Sequence, residues 1–155
     1  MYVRSGIRSL RVEVSGKNVL VVYLVDLETY VLSVYRPPSY SVEENQELRD
    51  FLSDFCVGKS VVVMGDFNLP GLKWNGSELS EGYVPPVERE FYDCFLSSGL
   101  HQWVEEGTFD LSDNILDLVF TSSDDAVGDV KVMPPLPGCH HCPVVLDYFP
   151  AEGSV

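Results

Sequence analysis

Positive charge is scarce in this chain of 155 residues. The 10 lysines and arginines stand against 24 aspartates and glutamates, so the formal net charge is −14 with neutral histidines. Because nucleic acids are polyanions, a protein of this charge binds them tightly only with assistance. A nucleic-acid function would therefore depend on metal ions, a local basic patch or a partner domain.

The sequence also lacks regularly spaced cysteines, a secretory leader and a long uninterrupted apolar run. The 4 cysteines follow no metal-site or disulfide spacing, which indicates a reducing, intracellular compartment, the cytoplasm or the nucleus. The apolar stretch 19–34 is interrupted by Asp26 and Glu28. It therefore predicts buried strands and no membrane span.

The residues that are present have the composition of one folded domain. Hydrophobic residues make up 45% of the chain and aromatic residues 12%, too much apolar surface for a disordered segment. Alternating or continuous apolar residues predict strands at 10–14, 19–27, 30–35, 60–65, 114–121, 127–133 and 142–149.

Two helices are predicted between these strands. Ser41 and Glu44 form a capping box that opens the first helix, and Gly58 closes it. Prolines 85 and 86 lead into the second. Strands with helices between them predict an α/β architecture of packed layers with mixed sheets. We expect one domain over residues 1–149 and a flexible tail at 150–155.

The segment Gly65-Asp66-Phe67-Asn68 follows the most apolar of the predicted strands. Side chains at positions i and i+2 of an extended chain point to the same side, so Asp66 and Asn68 can present a carboxylate and an amide together. Such a pair suits a phosphate, a water or a metal ion. The alternative is an ordinary turn, because glycine, aspartate and asparagine favour turns.

Asp117 interrupts the apolar run of residues 115–120. A charge buried in a strand costs several kcal/mol unless it is paired. Histidines 140 and 141 precede the last predicted strand and are the obvious partners. Alternatively, Asp117 faces solvent from an edge strand.

Four segments, taken in order, resemble the endonuclease/exonuclease/phosphatase superfamily, and within it the apurinic-type endonuclease domain of non-long-terminal-repeat retrotransposons. The likeness spans about residues 1–149 and implies the DNase I-like layered fold. The segments are Tyr35-Arg36-Pro37-Pro38, Gly65-Asp66-Phe67-Asn68, Leu116-Asp117-Leu118-Val119-Phe120 and His140-His141-Cys142-Pro143-Val144.

The resemblance implies a DNA-nicking phosphodiester hydrolase that depends on Mg²⁺. His141 matches the catalytic histidine, and Asp117 matches the acid that orients its imidazole. Asp66 matches the aspartate that positions the attacking water or leaving oxygen, sometimes beside a metal. The remaining matches are Asn68 and Tyr35 as phosphate-binding groups, Asn68 also beside the metal, with Arg36 and Asn114 as candidate nucleic-acid contacts.

The chain departs from the family pattern in two respects. His140 stands where the family has an aspartate, and imidazole is a poor ligand for Mg²⁺. The family's domain has a further stretch before the first strand seen here, and that stretch carries an asparagine and a metal-binding glutamate. Neither group is present in this sequence. These departures predict a copy truncated at its N-terminus, with an uncovered sheet surface open to association and with very low activity.

Three other functions fit parts of the sequence. A non-catalytic remnant or interaction module on the same fold agrees with the acidic charge and with His140. A small-molecule phosphatase would use the same core chemistry. A zinc site at Cys139-His140-His141-Cys142 is the third, although structural zinc sites usually draw on two separated ligand pairs.

Overall fold

The computed structural model describes residues 1–150, so the predicted tail lies outside the described residues except for Pro150. The helices are α1 (Val42–Cys56) and α2 (Pro86–Ser97). The strands are β1 (Ser9–Val12), β2 (Val19–Leu24), β3 (Thr29–Tyr35), β4 (Val61–Asp66), β5 (Trp74–Asn75), β6 (Glu78–Leu79), β7 (His101–Gln102), β8 (Asp117–Thr121), β9 (Val127–Val132) and β10 (Val144–Tyr148).

The main sheet has the strand order β1-β2-β3-β4-β8-β7. Strands β3 and β4 run parallel and the other neighbours run antiparallel, so the sheet is mixed. Residues 61–63 of β4 are at most 3% exposed. Their continuous apolar run is typical of a central strand that is covered on both faces.

Helices α1 and α2 cover one face of this sheet. Phe55 of α1 packs edge-on against Tyr30 of β3, at 5.3 Å between ring centroids. Phe95 of α2 lies 4.4 Å from Phe120 of β8. The predicted capping box is present, because the Ser41 hydroxyl accepts the Glu44 amide at 3.1 Å and the Glu44 carboxylate accepts the Ser41 amide at 3.3 Å.

The small sheet of β9 and β10 covers part of the opposite face. The Tyr148 hydroxyl of β10 lies 3.2 Å from the hydroxyl of Thr29 on β3. The cover does not extend over the whole face, since Leu20 is 49% and Tyr35 51% exposed. The predicted α/β sandwich of packed layers with mixed sheets is confirmed.

The structure differs from the sequence prediction mainly in short elements. The segment 69–83, where no strand was predicted, contains the hairpin β5–β6, and the two-residue strand β7 was not predicted either. Strand β8 begins at Asp117, three residues later than predicted. Two-residue strands are too short for a period to be read from them. Among residues 1–150, no helix has both the length and the apolarity to span a membrane.

Candidate active site

Polar side chains meet where β3 and β4 end and β8 begins. Tyr35 is the register partner of Asp66, and Asp66 is the partner of Asp117. Partners in register project from the same face of a sheet. That face carries β10 and lies opposite the helices. Strand β8 lies between β4 and β7, so Asp117 is not on an edge strand.

Gly65 allows this edge to form. Its φ is 153°, and a Cβ there would lie 1.8 Å from the carbonyl oxygen of Val34 on the parallel neighbour β3. Only glycine fits such a close approach of two backbones. Asn68 follows with φ 49°, a left-handed conformation that asparagine tolerates.

The Asn68 turn is held by hydrogen bonds at both of its amide groups. Its backbone N–H donates to Asp66 Oδ1 at 3.1 Å, and its side-chain amide donates to the carbonyl of Arg36 at 3.0 Å. Asp66 and Asn68 are therefore neighbours in space. The Asn68 N–H bond to Asp66 also closes a turn of the kind that the sequence offered as the alternative.

His141 lies between the two carboxylates. Its Nδ1 is 2.8 Å from Asp117 Oδ2, a hydrogen bond, and its Nε2 is 3.6 Å from Asp66 Oδ2. The second distance is too long for a direct hydrogen bond but short enough for a charge interaction. The side chains of Asp66 and Asp117 are 20% and 23% exposed, and that of His141 is 42% exposed.

Burial and the neighbouring charges shift the pKa of two of these groups, Asp66 and His141. Burial raises the pKa of Asp66, and the neighbouring charge of Asp117 raises it further, against the opposing effects of His141 and Asn68. For His141, burial lowers the pKa, but the hydrogen bond that it donates to Asp117 and the charges of both aspartates outweigh it, so the net shift is upward. The site has two carboxylates and one imidazole, so it is deficient in positive charge.

Thr108 supports this arrangement and was missed by the sequence analysis. It is fully buried, and its hydroxyl accepts the backbone N–H groups of Leu116 and Asp117, each at 3.0 Å. Its carbonyl accepts the N–H of Cys142 at 2.8 Å. Thr108 therefore ties the start of β8 to the histidine segment. No local signal in the sequence marks a loop threonine for this position.

Arg36 is not available to nucleic acid, which corrects the sequence prediction. It is 6% exposed, and burial lowers the pKa of its guanidinium. Its side chain donates to Asn45 Oδ1 at 2.9 Å and to the carbonyls of Phe67 and Asn68 at 3.2 and 3.0 Å. The guanidinium therefore fastens the loop after β4 to helix α1.

The other two residues predicted to contact phosphate or nucleic acid, Tyr35 and Asn114, are partly exposed to solvent. Tyr35 is half exposed beside Asp66. Asn114 is half-buried, and its side-chain oxygen accepts a hydrogen bond from Lys73 at 2.7 Å. Lys73 is an exposed cation in the loop after β4, and the sequence analysis did not select it.

The zinc site considered from the sequence does not form. Within residues 1–150, the His, Cys, Asp and Glu side chains that converge as a possible metal group are Asp66, Asp117 and His141, with ligand atoms within 4.8 Å of one another. Cys139 is exposed and Cys142 half-buried, and both are free thiols. Successive residues point in different directions, which keeps these thiols and imidazoles from one shared ion.

Comparisons with known proteins agree with this fold. The family described as endonuclease–reverse transcriptase matches residues 29–145. Among solved structures, 80 chains match. One is the endonuclease domain of TRAS1, a telomere-specific non-LTR retrotransposon, with a TM-score of 0.73 and 17% identity over 95% of this chain and 69% of that chain. At that identity the likeness shows the fold. No curated protein matches.

The family match covers β3, β4 and β8, which carry Tyr35, Asp66 and Asp117, and it reaches past His141. Because it extends over well more than half of the sequence, the chain belongs to the endonuclease–reverse transcriptase family.

Proposed function

We propose that this chain is a metal-dependent phosphodiester hydrolase, a DNA-nicking endonuclease domain of retrotransposon type. The observation that carries the proposal is the His141 imidazole, held 2.8 Å from Asp117 and 3.6 Å from Asp66. The family match supports an endonuclease. DNA is the proposed substrate, and the cytoplasm or nucleus the proposed compartment.

In the proposed mechanism, His141 is the general base that accepts a proton from the attacking water. Its Nδ1–H donates to Asp117, so Nε2 carries the lone pair and faces Asp66. A water held against Asp66 gives a proton to Nε2 while its oxygen attacks phosphorus. The bond to the leaving oxygen breaks, and that oxygen takes a proton from solvent. Asp117 stabilises the imidazolium that forms. We assign Tyr35 and Asn68 to the phosphoryl oxygens, and Asn114 with Lys73 to the DNA backbone.

The donor set fits a divalent cation. Asp66 is a partly buried carboxylate whose pKa is raised by burial and by Asp117, so a nearby positive charge would relieve both effects. We propose Asp66 and the amide oxygen of Asn68 as the ligands, with Mg²⁺ as the ion, because Mg²⁺ prefers oxygen. When bound, the ion would neutralise charge that develops on the phosphoryl oxygens.

We expect the activity to be weak. Asp117 is committed to His141, so within residues 1–150 Asp66 is the one carboxylate of this cluster left for the cation. The net charge of −14 opposes the approach of DNA, and His140 replaces a carboxylate that the resemblance places in the family motif. Both effects lower the occupancy of the site and leave the geometry of the His141–Asp117 pair intact.

A non-catalytic interaction module is the second candidate, because part of the main sheet is uncovered. Leu20 and Tyr35 lie on the face opposite the helices and are about half exposed. Exposed apolar surface on a sheet favours association with another chain. This candidate and a weak nuclease make different predictions about His141.

The test is nicking of supercoiled plasmid by pure protein with Mg²⁺ or Mn²⁺. His141→Ala should lower the rate by about 100-fold or more, since it removes the base. His101→Gln is the matched control, because His101 lies on β7 against Trp103 and outside the site. Circular dichroism should show the same fold for all three proteins.

Two results would contradict the proposal. Nicking by His141→Ala at the wild-type rate would remove His141 from the mechanism or reveal a contaminating nuclease. A wild-type protein that stays inert at millimolar concentrations of either metal would favour the non-catalytic module.

A further inference from the structure

The segment that carries His141 is fastened by a second histidine–carboxylate pair. His140 Nδ1 lies 2.9 Å from Asp110 Oδ1, and the backbone N–H of Asp110 donates to the carbonyl of His140, also at 2.9 Å. Asp110 therefore holds His140 at both its side chain and its backbone. Neither residue contributes to the site described above.

This pair lies next to other contacts that join the same two segments. Phe109 and His141 form an antiparallel bridge, and the Cys142 N–H donates to the carbonyl of Thr108 at 2.8 Å. The ring of Phe109 is 5.9 Å from that of His140 and 5.3 Å from that of His141. Residues 108–110 thus contact three successive residues, 140–142.

We infer that Asp110 and His140 form a clamp that positions His141 between Asp66 and Asp117. Asp110 and His140 are positioning residues, since they act through the backbone of the histidine segment. The inference rests on the proposed function only for its kinetic consequence. The physical reason is that Thr108 fixes the start of β8 and Asp110 fixes the histidine segment, so residues 108–110 set the distance between the two halves of the pair.

The clamp accounts for histidine at position 140. Asp110 already supplies a carboxylate at 33% side-chain exposure, and His140, at 58% exposure, is its hydrogen-bond donor. An aspartate at 140 would place two carboxylates where one hydrogen bond now exists, and like charges repel. Restoring the family's aspartate by His140→Asp alone should therefore loosen the segment rather than repair the site.

Nuclear magnetic resonance can test the clamp without any activity. The readouts are the exchange rates of the backbone amides at positions 110 and 142 and the downfield Nδ1–H signal of His141. Asp110→Ala should speed hydrogen exchange at both amides about five- to tenfold. This is the effect expected from the loss of one partly exposed hydrogen bond to a charged group. The His141 signal should broaden or vanish. Asp26→Asn, which breaks the exposed Arg8–Asp26 pair at the other end of the sheet, should change none of these readouts.

The decisive variant exchanges the two side chains. His140→Asp should behave like Asp110→Ala, and the double variant Asp110→His/His140→Asp should return exchange to within about twofold of wild type, because an imidazole donor faces a carboxylate acceptor again. The clamp is falsified if His140→Asp leaves exchange unchanged, or if the double variant is no better than the single one.

Kinetics separate this inference from the proposed function. If wild type nicks DNA, Asp110→Ala should lower kcat about fivefold with KM unchanged, and the double variant should restore kcat. A loss of kcat with normal amide exchange would overturn the clamp, because it would mean direct contact with substrate. If wild type does not nick, the proposed function fails and the exchange rates alone decide the clamp.

Discussion

Single side chains decide the chemistry that this edge of the sheet can perform. Asp117 lies in an apolar strand because His141 pairs with it at 2.8 Å, which offsets the cost of burying its charge. The same pair, together with Asp66, raises the pKa of His141. The imidazole therefore needs a more alkaline solution than a free histidine before Nε2 can accept a proton.

Asp117→Asn should shift the pH dependence of nicking. The substitution removes the charge that raises the pKa of His141 and replaces a charge-assisted hydrogen bond with a weaker neutral one, so that pKa should fall. The acid limb of kcat/KM should move to lower pH, and the plateau should drop by about 100-fold, because the imidazolium loses its partner. A pH–rate profile from pH 5 to 9 measures both effects. An acid limb that stays at its wild-type position would contradict the assignment of His141 as the base.

Arg36→Lys should cost stability rather than DNA affinity. The guanidinium is buried and donates to Asn45 and to the Phe67 and Asn68 carbonyls, and lysine cannot reproduce that fork. We expect a loss of about 2–3 kcal/mol in the free energy of unfolding. Arg8→Lys, at an exposed position, should lose less than about 0.5 kcal/mol. Urea denaturation measures the difference, and a raised KM with unchanged stability would point instead to a DNA contact.

Secondary-structure elements bring the chemical groups to one place. Strands β3, β4 and β8 lie side by side in register, so Tyr35, Asp66 and Asp117 share one face although they are far apart in the chain. Strand β10 follows the histidine segment and covers the same face. The parallel pairing of β3 and β4 depends on glycine at position 65, because a Cβ there would clash with the Val34 carbonyl oxygen.

Gly65→Ala should disrupt this pairing. A Cβ at position 65 would meet the Val34 carbonyl oxygen at 1.8 Å, and its φ of 153° is itself unfavourable for alanine. The strands must separate, and we expect a loss of about 3 kcal/mol or more. Gly58→Ala is the matched control, because φ there is also positive but open space surrounds the site. It should cost only about 1 kcal/mol. Equal losses in thermal or urea unfolding would argue against the close approach of β3 and β4.

The whole molecule combines an acidic surface with a partly uncovered sheet. Leu20 and Tyr35 lie on the face that β9 and β10 cover only in part, and the register pair Val22 and Val31 lies next to Leu20 on the same face. Association through this surface was predicted from the sequence and stays a prediction. The net charge of −14 opposes association at low ionic strength and less so at about 0.15 M salt, where charges are screened beyond about 8 Å.

Leu20→Glu should abolish this association. The substitution places a charge at the centre of the apolar surface, where burial against a second chain would be costly. Sedimentation velocity should show a concentration-dependent dimer for wild type and a monomer for the variant. Leu96→Glu on α2 is the control, since Leu96 is 54% exposed on the other side of the molecule. A monomeric wild type at high concentration and 0.15 M salt would contradict the prediction.

Local patterns were enough to predict the elements and the polar groups at their ends. The capping box at Ser41, the apolar run of β4 and the odd position of Asp117 are each encoded within a few neighbouring residues, so period and turn chemistry reveal them. Only the folded chain places Arg36 in the interior, brings Thr108 beneath Asp117 and joins Asp110 to His140. Those contacts link residues 9 to 32 positions apart. Their partners are chosen by sheet register and packing, which no short stretch of sequence records.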